Sequence, residues 1–296
     1  MKTFHFLKTP AGQMALAAFW FALMNVFVKK VNHLPAMELV FFRCAISTAF
    51  CFGGLYLAGI GWKGSNRKLL FLRGFFGTVS LWLYFVTLKK LSLGTAVSIQ
   101  YMSPIFTVII ASFLLKEKIL PLQFLFFVLS FAGVILIKGF DAAVSTTYLL
   151  AGVGSAIGSA LAYNMIRNLK GKEHPLVVVL HFQLLAAIVG LSFSIFNWVT
   201  PKGIEWLYLF LIGATTQLAQ MAMTRSLQND KVANVTILQY TGIIYALVFG
   251  YFLFDESHDM FAIVGMLLIV GGVVLNILFG RKSETKAGMS SVQTTE

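Results

Sequence analysis

From residue 12 to residue 279 the chain returns, after every short polar interval, to another apolar stretch long enough to cross a bilayer. A hydrocarbon core of ~30 Å takes about 20 helical residues. Ten stretches of that kind follow one another, at residues 12–28, 37–59, 69–88, 93–115, 120–137, 148–166, 176–199, 204–226, 232–254 and 260–279. The connections hold only a few residues each, so no soluble domain fits between the spans. Charged residues make up 11% of the chain, against roughly 25% in soluble domains. The expected fold class is therefore an all-α integral membrane protein with ten transmembrane helices, surrounded by membrane lipid.

The basic residues orient these spans. Lys and Arg number 23 against 11 Asp and Glu, a net charge of +12. Gathered in one patch, such an excess would suit nucleic acid. Here the cations stand in ones to threes between apolar runs, the pattern of loops that anchor spans at a membrane surface, and no nucleic-acid partner is expected. With a cytoplasmic N-terminus, sixteen of them, from Lys2 and Lys8 through Arg67, Lys68 and Arg73 to Lys286, fall inside. Six (Lys29, Lys30, Lys89, Lys90, Lys138, Lys202) fall outside, and Arg43 lies within a span. The positive-inside rule then predicts both termini in the cytoplasm. The first apolar run is too long for a signal peptide and meets Lys29 and Lys30 where a small-residue cleavage site would stand, so it reads as span one. Cys44 and Cys51, the two cysteines, sit seven apart on one helix face as small hydrophobes.

The chain repeats itself. Gln100-Tyr101 is matched 139 positions later by Gln239-Tyr240, and the same shift aligns Gly74 with Gly213, Glu117 with Glu256, Gly133-Val134 with Gly272-Val273, and Asn25 with Asn164. Apolar matches mean little in apolar sequence, but Gln-Tyr followed at one spacing by Glu in both copies does not arise from composition. The shift carries span one onto span six. An odd repeat of five spans inverts the second copy, giving a 5+5 inverted repeat: residues 1–140, residues 141–280, and a polar cytoplasmic tail at 281–296. Carriers built this way hold substrate near the midplane between the halves and open it to either side by rocking.

The run from Arg73-Gly74 through FVTLKKLSLGTAVSIQYMSPIFTVIIASFLLKEKI resembles the EamA domain of the drug/metabolite transporter superfamily. The shared features are a third span opening on Arg-Gly, a fourth with a central Pro, and a closing Glu flanked by basic residues. The second half departs from it, with Ile243 where Pro104 stands and Asp255-Glu256-Ser257 for Lys116-Glu117-Lys118. Span nine thus has no proline to bend it. The resemblance implies bacterial inner-membrane carriers of amino acids, nucleosides, other metabolites or S-adenosylmethionine, with a central cavity lined mainly by spans one, three, four, six, eight and nine.

Polar side chains inside spans are costly against lipid and mark faces turned to protein or water. Span three carries such a stripe in Arg73, Gly77, Ser80, Tyr84 and Thr87, and span eight carries Gly213, Gln217, Gln220 and Thr224 at the same spacings. Gly77, Ser80 and Gly213 are expected in helix packing, and Gln217 and Gln220 in the cavity. Gln100, Tyr101, Thr236, Gln239 and Tyr240 supply groups from spans four and nine. Asn25, Tyr163 and Asn164 do so from spans one and six, where Trp20 is either a stacking surface or core. Pro104 removes a backbone donor near Gln100 and is the candidate hinge. Two roles are open to Arg43: an ion pair with Glu38 or an interfacial anchor, and attraction of an anionic or carboxylate-bearing substrate. His181 is expected to be a hydrogen-bonded core histidine.

No Asp or Glu stands in a span interior, which removes a carboxylate proton relay and argues against a lone cation as substrate. The chain has no G-x-x-x-x-G-K-[ST], H-E-x-x-H, C-x-x-C or G-x-S-x-G, so no catalytic residue, metal or cofactor is expected. The sequence reading is a secondary transporter of a small polar metabolite in a bacterial inner membrane, with S-adenosylmethionine uptake as the alternative inside the same family. A membrane enzyme would cluster titratable groups at one depth and an interaction subunit would carry a long polar loop.

Overall fold

A computed structural model describes residues 9–115, 121–138, 145–229, 238–257 and 259–293, and among them the regular structure is helical. The helices are α1 (Pro10–Lys30), α2 (Ala36–Ala58), α3 (Arg67–Lys90), α4 (Leu93–Gln100), α5 (Ser103–Leu115), α6 (Pro121–Lys138), α7 (Thr146–Asn168), α8 (Pro175–Ser194), α9 (Glu205–Asn229), α10 (Thr241–Phe254) and α11 (Met260–Gln293). A 3₁₀ turn, Ile195–Asn197, extends α8. Their ends carry local stop and start signals. The hydroxyl of Thr9 caps α1 by accepting from Gly12 N at 3.1 Å ahead of Pro10, Asn66 caps α3, and Gly59 closes α2 in the left-handed region at φ 64°. Lys29-Lys30 and Lys89-Lys90 sit in the last turns of α1 and α3, where the helix dipole favours cations.

Among the described residues five helices are long and apolar enough to cross a membrane: α1, α2, α3, α7, and α8 with its 3₁₀ turn. The stretch expected as span four is divided. Tyr101 and Met102 form a turn between α4 and α5, so neither piece alone has spanning length. Proline 104 accounts for this break, because it cannot donate at the start of α5 and restricts Ser103 before it. The corresponding turn at Tyr240 precedes α10 although Ile243 replaces the proline, and Ile243 N bonds the Tyr240 carbonyl three residues back at 3.0 Å. The absence of a proline therefore does not leave this stretch continuous. At the other end α11 continues past residue 279, the expected end of span ten, as far as Gln293.

The principal neighbours are α6 with α11, α1 with α9, α3 with α7, and α2 with α8. Helices α6 and α11 approach closely. A methyl group on Gly272 would meet the Phe126 carbonyl oxygen at 2.6 Å, and one on Gly133 would meet that of Gly265 at 2.5 Å. Only hydrogen at both positions lets the backbones come this near. Large apolar side chains such as Leu57, Phe196 and Leu267 stay exposed on the outside, as expected where the surrounding solvent is lipid tails.

Candidate functional site

The polar residues converge on a cavity of about 100 Å³, lined from α1, α2, α3, α4, the α4–α5 turn, α7, α8, α9 and Gln239 just ahead of α10. Its serine wall is tightly bonded. Gln100 Nε2 donates to Ser159 Oγ at 2.7 Å, Ser155 Oγ donates to Gln100 Oε1 at 2.7 Å, and the Ser80 and Ser159 hydroxyls lie 2.7 Å apart. Three helices, α3, α4 and α7, are thereby held in one register, with Gln100 facing the cavity.

Two arginines enter the same space. Arg43 is 2% exposed, and its Nε donates to Thr216 Oγ1 at 2.9 Å and approaches the Met24 sulfur at 3.3 Å. Glu38 does not pair with it. Five residues along a helix turn a side chain about 140° away, and Glu38 instead accepts from Val199 N at 3.0 Å. The anchoring reading fails as well, because Arg43 points inward and is buried. Arg73, also 2% exposed, was expected among the cytoplasmic loop cations, yet its guanidinium lies in the cavity wall. It folds over Gly77 and stacks on Phe182, with Cζ 4.2 Å from the ring centroid, while Arg43 Cζ lies 5.9 Å from the same centroid. Spans two and seven therefore contribute to the cavity, through Arg43 and Phe182, beyond the six spans the resemblance implied.

Of the residues singled out in the sequence, Asn25, Arg43, Tyr84, Gln100, Tyr101, Tyr163, Gln220 and Gln239 line this space. Others have different surroundings. Gln217 accepts from the Ser47 hydroxyl at 2.6 Å and the Cys51 thiol at 3.2 Å, a knot between α2 and α9 completed by Gln183 donating to Ser47. Asn164 donates to the Ala160 and Thr107 carbonyls, joining α7 to α5. Trp20 packs edge-on against Phe19 outside the cavity wall. Tyr240 crosses Tyr101 at 89°, with ring centroids 5.6 Å apart, and its hydroxyl donates to the Tyr101 carbonyl at 3.1 Å. That carbonyl belongs to the α4–α5 break, so Tyr240 satisfies an acceptor beside the Pro104 turn. Thr236 lies outside the described residues. His181 bonds the Val177 carbonyl through Nδ1 at 2.9 Å, as a core histidine would.

Sequence reasoning left Arg73 and Phe182 out of the site. The stripe Arg73-Gly77-Ser80-Tyr84 held the signal for Arg73, but its place near Arg67 and Lys68 gave it the look of a loop anchor. For Phe182 the signal was its position 139 residues after Arg43. Five pairs of lining residues keep this spacing: Met24 with Tyr163, Arg43 with Phe182, Leu81 with Gln220, Tyr84 with Met223, and Gln100 with Gln239.

The model of the EamA-like transporter family matches residues 11–139 and again 146–278. This chain belongs to that family. Among relatives of this EamA-like transporter, the pseudopaline exporter CntI of Pseudomonas aeruginosa is 30% identical over 89% of this chain and 94% of its own length. Solute carrier family 35 member G1 of Mus musculus is 29% identical over 86% of this chain and 74% of its own. An S-adenosylmethionine uptake transporter of Rickettsia felis is 24% identical over 86% and 87%. One solved crystal structure superposes with a TM-score of 0.69 at 19% identity, covering 93% of this chain and 98% of the other, which fixes the fold alone. Family and named relatives make the chain a multi-pass membrane transporter of the drug/metabolite superfamily, and not an enzyme.

Proposed function

We propose that this EamA-family transporter is a secondary carrier that moves a small, polar, carboxylate-bearing metabolite by alternating access between two inverted five-helix halves, residues 1–140 and 141–280. The observation that carries this reading is the set of five lining pairs 139 residues apart, because a site shared by two equivalent halves is what a rocking carrier needs. The helix partners support the same relation. Under a shift of 139 the pair α1 with α9 exchanges with α7 with α3, and Gly74 against Leu185 becomes Gly213 against Ile46. Ten spans follow if α4 with α5, and the stretch ending in α10, each cross once. Bacterial relatives and the distribution of loop cations, fifteen to six once Arg73 is counted in the cavity wall, support an inner membrane with both termini in the cytoplasm.

Recognition in this reading is shared among Asn25, Tyr84, Gln100, Tyr101, Tyr163, Gln220 and Gln239, which supply neutral hydrogen bonds and aromatic faces, and Arg43, which supplies charge. A guanidinium matches a carboxylate with two parallel N–H···O bonds. The test is uptake by the purified chain in proteoliposomes, challenged with amino acids, nucleosides, S-adenosylmethionine and simple organic cations. Carboxylate-bearing solutes should be taken up without ATP, and Arg43→Gln should weaken that uptake at least tenfold. Competition by simple cations alone, undisturbed in Arg43→Gln, would refute the assignment.

A further inference from the structure

We infer that Arg43 and Arg73 together form a two-point anion site across Phe182, and that the ligand of the cavity carries two separated carboxylates. This rests on the carrier reading only where it concerns transport, because binding can be measured by itself.

Both guanidiniums are buried and both line the cavity. Among the described residues the ion pairs are Lys29 with Glu256 and His33 with Glu205, so no carboxylate among those residues neutralises either arginine. Their protein contacts are neutral and few. Arg43 has Thr216 and the sulfurs of Met24 and Cys44, whereas Arg73 has one long bond, 3.4 Å, to Gln220 Oε1. The Arg73 Nε is buried with no hydrogen-bond partner. A buried cation without a counter-charge is costly, and one with an orphaned donor in a cavity wall is incomplete until a ligand arrives.

Two uncompensated cations in one cavity call for two negative charges, and the geometry bounds how far apart these stand. Both Cζ atoms lie over one ring, at 5.9 and 4.2 Å from its centroid, so their separation is at most the sum of these, about 10 Å. A short chain with a carboxylate at each end and methylenes beside Phe182 supplies one anion to each guanidinium within that limit, whereas a monoanion leaves one of them uncompensated. The carboxylates meet the two forks, and the neutral amides and hydroxyls of the opposite wall take the remaining polar groups. Gly77 is part of this arrangement, because a side chain there would collide with Arg73 Nη1 and with the Phe182 ring.

The experiment uses the full chain purified in detergent, with ligand-induced thermal stabilisation as the binding readout and proteoliposome uptake beside it. The probes are the dicarboxylates succinate and glutarate, their monoamides succinamate and glutaramate, which have the same size and one charge fewer, and inorganic phosphate. Wild type should bind each dicarboxylate at least tenfold more tightly than its monoamide, and phosphate weakly. Arg73→Gln should abolish that preference, while Arg73→Lys should retain part of it. Equal affinity for dicarboxylate and monoamide in wild type would overturn the proposal without any variant, as would equal protection by phosphate, or a dicarboxylate preference that survives in Arg73→Gln. Dicarboxylates that bind with this preference yet are not taken up would uphold the anion site and refute the carrier. Uptake of a neutral solute, with dicarboxylates neither binding nor competing, would refute the anion site and the carboxylate-bearing substrate while upholding alternating-access transport.

Discussion

Gln217 and Gln220 stand three residues apart on α9 and read alike in sequence, yet they should respond to the same substitution in opposite ways. Gln217→Leu removes the acceptor for the Ser47 hydroxyl, at 2.6 Å, and for the Cys51 thiol, at 3.2 Å, leaving two buried donors between α2 and α9. A hydrogen bond between membrane helices is worth ~0.6 kcal/mol on average and up to ~1.7, and a buried donor stripped of its partner costs roughly 1–3 kcal/mol. One short bond and one weak sulfur bond therefore set the loss at about 1–2 kcal/mol. Gln220 has only the 3.4 Å contact to Arg73 and faces the cavity, so Gln220→Leu should cost less than about 1 kcal/mol but raise the KM for uptake severalfold. Thermal melting in detergent and initial uptake rates in proteoliposomes separate the two effects. The reasoning is refuted if both variants melt together, or if Gln217→Leu shifts KM while Gln220→Leu leaves it unchanged.

Gly272→Ala should lower the melting temperature through an overpacking cost of about 1–3 kcal/mol, whereas Gly271→Ala, where a methyl group meets nothing within 4 Å, should not. Equal melting of the two variants would contradict the close approach of α6 and α11. Tyr240→Phe strips the Tyr101 carbonyl of its donor and should destabilise the chain by about 1 kcal/mol; a wild-type melting temperature would remove the hydroxyl from the account of the break. For orientation, Ser65→Cys should resist an impermeant thiol reagent in intact cells and Asn32→Cys should react. Both sites are exposed and the native Cys44 and Cys51 are buried, so labelling reversed between the two would invert the topology.

Legibility in the sequence followed the range of the interactions. Helices were readable wherever an apolar run was uninterrupted, because helix formation in lipid is local and every backbone group is satisfied within the segment. Tyr101 and Tyr240 could be paired from their common spacing before any contact between them was visible. What a polar side chain faces was not readable, since that depends on helices far away in the chain. Gln217 looked like its neighbour Gln220 until Ser47, 170 residues earlier, was seen against it. Asn164 lay on a promising face but bonds two backbone carbonyls, while its repeat partner Asn25 lines the cavity. Arg73 was masked by its position near a basic loop, and the turn at Tyr240 had no proline to announce it.

The helix partners also constrain how the protein can be made. The principal neighbours of α1, α2, α3 and α6 are α9, α8, α7 and α11, all synthesised after residue 145. A nascent chain emerging from the ribosome thus delivers its first five apolar segments to the membrane before any of those partners exists. In that interval Arg43 and Arg73 have neither the Phe182 ring nor Thr216 and Gln220 beside them, and a lone guanidinium amid lipid tails is held only by snorkelling and local water. The early segments then lack their principal neighbours until the later ones are made. Assembly of this transporter is accordingly completed only as the later segments arrive, and a truncated product ending before α7 would be a bundle of segments without their mates.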